Sequence, residues 1–244
     1  MDVEYAESRG GIKVVSAAGA STYSVAEFTF GLLLMMVKRI PENMNRVRGG
    51  GEWGGSLLTP GIELFGKALG VIGFGRIGSY VASIANAFRM RVFAYDPFVD
   101  REKFIEVNAV RSENIDDLLK QSDFITIHTS LTRESKSLIG RREVGLMKDG
   151  VFIVNTARGG EVVDEYAILD GLRNGKIAGY ATDVLTGEPP TEESSPLLRA
   201  FKRGGEIPNL FVTSHIAGVT RESVKRYTLY VVKGVRDALM VIRR

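Results

Sequence analysis

The amino-acid sequence predicts an α/β protein: a doubly wound parallel sheet with helices on both faces. Two observations predict it. From Lys67 onward, runs of β-branched and aromatic residues alternate with amphipathic segments, the pattern of a parallel sheet covered on both faces. The first of these runs leads into "VIGFGRIG", a glycine-spaced turn that opens a helix. The 244 residues, 44% hydrophobic and 25% charged, are enough to bury a core without disulfides. The chain has no cysteine, which excludes disulfides, thiolate chemistry and Cys-ligated zinc, and no metal is expected.

The elements follow in order. Residues 1–10 read as the end of a helix and "GIKVVSA" as a short strand. In "STYSVAEFTFGLLLMMVKRIP", Ser24 and Glu27 fit a capping box for a helix apolar almost all round and therefore buried. Lys38 and Arg39 suit its C-terminal end, and Pro41 stops it. Residues 42–66 are glycine-rich, hold the single Trp53 and lack a phosphate-loop ending, so they read as an extended arm at a subunit interface. "ALGVIGF" is a strand, and residues 76–89 form a helix with Ile77, Tyr80, Val81, Ile84 and Phe88 on one face. Then come strand "RVFAYD", helix "ENIDDLLKQS", strand "FITIH", helix "RREVGLM" and strand "VFIVNT". "DEYAILDGLRNG" is a helix closed by Gly175, followed by strands "IAGYATDV" and "LFVTSH". A helix from about Thr220 ends the chain, with Val224, Tyr227, Val231, Val235 and Leu239 sharing one side.

The 32 basic and 29 acidic residues are spread along the chain, with no basic stripe interleaved with aromatics, so nucleic acid is not an expected partner. "MDVEYAESRG" lacks the features of a secretory leader, and the longest apolar stretch, residues 28–37, is too short to span a bilayer. A cytoplasmic location without membrane association is expected.

Gly73, Gly75 and Gly78 have the G-x-G-x-x-G spacing, and Asp96 lies 18 positions beyond Gly78 at the end of the next strand. Alone the glycines are a weak signal; with a strand before, a helix after and the acidic residue beyond, they describe a Rossmann-type dinucleotide site. Gly73 permits the tight turn, Gly75 lets the backbone approach a pyrophosphate, and Gly78 lets helix and strand pack closely. Arg76 and Ile77 begin the helix whose amides would face that pyrophosphate. Asp96 would accept hydrogen bonds from ribose hydroxyls and repel a 2′-phosphate, which favours NAD over NADP, although Arg101 stands nearby in sequence.

Ligands of such sheets sit beyond the carboxyl ends of the strands. His128, Arg158, Asp183 and His215 fall at those ends, with Glu188 on the loop after Asp183. Arg158, between small residues in "NTARGG", suits a bidentate contact with a carboxylate or carbonyl, or a structural ion pair. His215 can exchange a proton near neutral pH, or can simply terminate a strand. Glu188 in "TGEPP" can hold one ring nitrogen of His215, or can be a solvated loop carboxylate.

"GKALGVIGFGRIG", "YDP", "LMKDGVFIVNTARGGEVVDE", "GYATDVLTGEPP" and "TSHIAG" occur in the order and spacing of the D-isomer-specific 2-hydroxyacid dehydrogenases, which the chain resembles over nearly its whole length. The resemblance implies that Arg158 binds the carboxylate and carbonyl of a 2-hydroxy or 2-keto acid, and that Glu188 pairs with His215, the acid/base. It places Asp183 against the nicotinamide carboxamide of NAD, with His128 and Thr156 near the cofactor. Ser130 and Ser214 stand where the family usually has proline and Thr182 where it usually has leucine, which reshapes loops but removes no catalytic group. "RAFKRGGEIPN" reads as a surface loop longer and more basic than usual.

By the same resemblance residues 1–18 are the remnant of a substrate domain, 19–219 the dinucleotide-binding domain and 220–244 a C-terminal helix. The "GIKVV" strand would then be an unpaired apolar edge, which invites association, and a homodimer is expected. With most of the substrate domain absent from the chain, NADH binding with weak or no catalysis is expected. The alternative is an NADH-sensing interaction protein like the family's corepressor relatives.

Overall fold

A computed structural model describes residues 3–8, 12–51, 53, 60–204, 207 and 209–242. After α1 (Val3–Ser8), α2 (Thr22–Val37) and α3 (Ile40–Arg48), the chain alternates β1 (Ala68–Ile72), α4 (Arg76–Ala87), β2 (Arg91–Tyr95), α5 (Arg101–Glu106) and β3 (Val110–Arg111). It continues with α6 (Ile115–Gln121), β4 (Phe124–Ile127), α7 (Arg141–Leu146), β5 (Val151–Asn155), α8 (Glu165–Arg173) and β6 (Ile177–Thr182). The last elements are α9 (Pro196–Arg203), β7 (Leu210–Val212) and α10 (Arg221–Ile242).

The seven strands form one sheet in the order β3-β2-β1-β4-β5-β6-β7, and every pair is parallel. The chain winds outward from β1 in one direction, then returns to lay β4 on the other side of β1. That reversal opens a crevice at the carboxyl ends of β1 and β4, where ligands of such sheets bind. Alternate residues supply the two faces. Phe124, Phe152 and Val154 pack with Ala26, Phe30, Leu33, Val81 and Phe104 of α2, α4 and α5. Ile125, Ile127 and Ile153 pack on the other face with Leu118, Val144, Ile168 and Leu197 of α6 to α9. Strands buried on both faces explain why their sequences are continuous apolar runs.

Several expectations are corrected. Residues 12–17 form no strand: among the described residues nothing pairs with them, and Val15 instead packs so close to α10 that a Cβ on Gly234 would lie 2.3 Å from it. The capping box at Ser24 and Glu27 is not used. α2 starts three residues earlier, at Ser21, and the Ser24 hydroxyl bonds Thr220 at 2.7 Å, tying α2 to the start of α10. Pro41 sits in the first turn of α3, where its missing N–H costs nothing, and Arg39 makes the bend between the two helices at φ +54°. Part of the supposed arm is therefore helical. Trp53 is exposed, and residues 52 and 54–59 lie outside the described residues. α5 and β3 were not anticipated, being six and two residues long. The first half of "RAFKRGGEIPN" belongs to α9, which Ser195 caps by accepting from Leu198 N–H. On α10, Val224, Tyr227, Val235 and Leu239 do share a side, but that side is exposed.

Candidate active site

The glycine turn owes its shape to backbone crowding. Gly73 has φ +91°, and a Cβ there would lie 2.7 Å from the backbone of His128 and of Thr129. A Cβ on Gly78 would lie 2.0 Å from the Gly73 carbonyl oxygen, so only glycine lets α4 seat against β1. Gly75 has open space where its Cβ would be and is the N-cap of α4 without any side-chain cap, leaving first-turn N–H groups for a ligand. Asp96 accepts from Phe74 N–H at 2.8 Å and Phe98 N–H at 3.0 Å, which fixes its carboxylate beside the turn.

These residues wall a cleft of about 300 Å³ that Gly73, Gly75, Asp96, Phe98, His128 and Thr129 share. Both ring nitrogens of His128 and the Thr129 hydroxyl are sealed from solvent and have no hydrogen-bond partner among the described residues. Burial pushes the His128 pKa down to about 3, so the ring is neutral at physiological pH. A fixed carboxylate, an open glycine at a helix N-terminus and unpartnered polar atoms fit the adenosine and pyrophosphate half of a dinucleotide. Arg76 begins α4, and its side chain leans against Gly19 and lines a separate groove with Tyr23, Tyr80 and Arg226. Ile77 is half-buried against the core, and Thr156, at the end of β5, hydrogen-bonds Thr29 of α2 at 2.9 Å.

The second group of residues lies at the ends of three adjacent strands. At the end of β5, the buried Asn155 wraps the turn in both directions, accepting from Ala157 N–H and donating to the Arg158 carbonyl at 2.8 Å. Arg158 is thereby presented at the surface, with Nη1 donating to the Ala157 carbonyl at 2.7 Å. Past β6, Glu188 accepts from Leu185 N–H at 3.1 Å through Oε1, and its Oε2 meets His215 Nδ1. The structure therefore brings Glu188 and His215 together across 27 residues of sequence. His215, past β7, has φ +57°, and its ring is bound through Nδ1, which leaves Nε2 free.

Asp183 anchors the turn that carries His215. It is 2% exposed and accepts from the Thr213 hydroxyl and from the N–H groups of Ile216 and Ala217. Three of a carboxylate's roughly four lone-pair sites thus hold the His215 turn. Two further residues escaped the sequence reading. Asn155 carried the signal of an amide ending an apolar strand; Glu165, discussed below, looked like an ordinary first-turn carboxylate of α8.

The ARGG glycines have a steric reason. A Cβ on Gly159 would lie 2.2 Å from the Leu185 carbonyl oxygen, and one on Gly160 would lie 1.9 Å from Thr186 Oγ1. The segment bearing Arg158 and the loop bearing Glu188 are packed against each other. A wider groove of about 660 Å³ lies at the opposite end of the sheet, where Arg141–Asp170 and Lys176–Asp149 pairs satisfy its charges.

The chain is similar to known proteins over its whole length. Residues 30–217 match the family described as D-isomer specific 2-hydroxyacid dehydrogenase, NAD binding domain. It is 40% identical over 239 residues to D-3-phosphoglycerate dehydrogenase of Methanocaldococcus jannaschii, covering 98% of this chain and 43% of that protein. It is 40% identical over 235 residues to hydroxypyruvate reductase of Thermotoga maritima, covering 96% of this chain and 72% of that one. The crystal structure of D-lactate dehydrogenase from Aquifex aeolicus, complexed with NAD and lactic acid, superposes with a TM-score of 0.82 at 36% identity. That superposition covers 100% of this chain and 75% of the other. The chain spans about two fifths of the length of the phosphoglycerate dehydrogenases it matches. With the family match running over residues 30–217, well over half of its length, the chain belongs to the D-isomer-specific 2-hydroxyacid dehydrogenase family.

Proposed function

We propose that this chain carries the cofactor site and the proton-transfer pair of an NAD-dependent oxidoreductase that interconverts a D-2-hydroxy acid and its 2-keto acid. The observation that carries the reading is the Glu188–His215 contact at the carboxyl ends of β6 and β7, one strand from Arg158. When bound, NAD supplies or accepts the hydride. His215 gives a proton from Nε2 to the keto oxygen in reduction and takes it back in oxidation. Glu188 holds Nδ1, fixing the ring and stabilising the imidazolium. Arg158 binds the substrate carboxylate through its planar fork.

Asp96 at the cleft selects NAD, since a 2′-phosphate would meet its carboxylate as a like charge. Three-carbon and two-carbon keto acids, hydroxypyruvate, its 3-phosphate and glyoxylate, head the list of substrates, in keeping with the named relatives. A homodimer in the cytoplasm completes the proposal; sedimentation giving the 26.7 kDa monomer at all concentrations would remove the dimer from it. Among the described residues no helix is long and apolar enough to cross a membrane.

The test is loss of NADH absorbance with hydroxypyruvate, 3-phosphohydroxypyruvate, glyoxylate and pyruvate, run beside His215→Ala. Weak turnover of at least one acid is expected, and its loss in the substituted protein, since general acid–base catalysis contributes about 10²- to 10⁴-fold. Turnover that survives His215→Ala would sink the assignment of the acid/base.

A further inference from the structure

We propose that Glu165 is a positioning residue for the proton-transfer pair: it holds the loop that carries Glu188 so that the carboxylate stays on His215 Nδ1. What the pair does rests on the dehydrogenase reading above; how it is held rests on contacts alone.

Glu165 opens α8 and is 5% exposed. Its four hydrogen-bond partners are all neutral donors. Oε1 accepts from Thr186 N–H at 2.7 Å and from the Thr186 hydroxyl at 2.8 Å. Oε2 accepts from the Ser195 hydroxyl at 2.5 Å and, more weakly, from Leu197 N–H at 3.5 Å. Thr186 stands two residues before Glu188, and Ser195 seven after it. One buried carboxylate therefore pins both ends of the loop between them. A second tie, from the Ser194 hydroxyl to the Thr186 carbonyl at 3.2 Å, closes the same loop without any charge.

Burying a carboxylate is unfavourable unless its oxygens are satisfied, and charge-assisted bonds are about twice as strong as neutral ones. The arrangement is thus stiff, and what it stiffens is the approach to Glu188. The pair itself needs such support. Its side chains are 33% exposed at Glu188 and 57% at His215, so water competes for the contact and an ion pair of this kind contributes little by itself. On the opposite side the loop is blocked by Gly159 and Gly160, where nothing larger fits. Glu165 pulls the loop inward and the ARGG backbone limits how far it goes. The position of Glu188 is set between them.

The chain's two histidines make this measurable without substrate, by ¹⁵N NMR of the imidazole rings at a pH where both are neutral. A hydrogen bond at one ring nitrogen decides which nitrogen keeps the proton. In the parent protein His215 is expected mainly as the Nδ1–H tautomer, donating to Glu188. In Glu165→Ala it is expected to shift toward Nε2–H, the preference of a free ring. Glu165→Gln should fall between, because its carbonyl still accepts from Thr186 while its amide offers a donor where Leu197 N–H needs an acceptor. His128 should not move, and NADH affinity by fluorescence should hold within about twofold while kcat falls about tenfold or more.

A folded, NADH-binding Glu165→Ala protein with the parental His215 tautomer and kcat would overturn the proposal. If the alanine variant does not fold, an unchanged tautomer in Glu165→Gln overturns it equally. Should no keto acid be reduced by the parent, the dehydrogenase reading fails, and the tautomer still decides the role of Glu165.

Discussion

His128 and His215 are the same residue type at the same kind of position, beyond the carboxyl end of a parallel strand, and their surroundings make them opposites. His215 is exposed and its Nδ1 is bound to the Glu188 carboxylate. His128 has both ring nitrogens sealed away, and burial depresses its pKa to about 3. An unfolded histidine near 6.5 binds a proton that the folded one refuses, so stability from His128 is complete above that value and is lost as pH falls toward 3. Between pH 7 and pH 5 the loss amounts to about 2 kcal/mol. Urea melts at the two pH values should show it in the parent and not in His128→Leu; equal pH dependence in both would refute the assignment. Both histidines were legible in the sequence as strand-terminal groups. Their protonation behaviour was not, because it depends on neighbours tens of residues away.

At the scale of elements, close approach of backbone segments does much of the work. Gly160 lets the Arg158 segment touch the Glu188 loop. Gly160→Ala would drive a Cβ into the β-branched side chain of Thr186, which cannot turn aside. A loss of about 1–3 kcal/mol is expected, with a fall in kcat larger than any change in NADH affinity. Denaturant melts and steady-state kinetics would show it; an alanine variant with parental stability would mean the loop is freer than drawn. Long periodic elements such as α2, α4 and β5 were readable because several residues repeat the same signal. α5, β3 and α9 were not, since two to eight residues give too few repeats. α9 did carry a signal, serine followed by proline at a helix start, that was passed over. The strand expected at residues 12–17 was wrong for a different reason. Its residues favour a strand, yet no pairing partner exists for it among the described residues.

Across the whole molecule the site follows the order of strands. Asp96 stands past β2, the glycine turn past β1, His128 past β4, Arg158 past β5, Glu188 past β6 and His215 past β7. An elongated ligand laid across that edge would meet the Asp96 carboxylate at one end and the Glu188–His215 contact at the other. Binding to the native state alone raises stability by about 2.7 kcal/mol at a hundredfold excess over Kd, or roughly 5–10 °C in Tm for a chain of this size. NADH should give that rise and NADPH a smaller one, with Asp96→Ser narrowing the gap. NADPH stabilising the parent more than NADH would reverse the cofactor assignment.

The sequence by itself determined the parallel sheet, the glycine turn and the residue types at the strand ends. Each of these is local: periodicity, small residues and turn chemistry act within a few positions of one another. Only the tertiary structure decided that Glu188 meets His215, that Asp183 is spent on the His215 turn, that His128 is dry and that Glu165 grips both ends of the Glu188 loop. Those facts arise from packing between segments far apart in the chain, where burial and hydrogen-bond partners set what a given side chain can do.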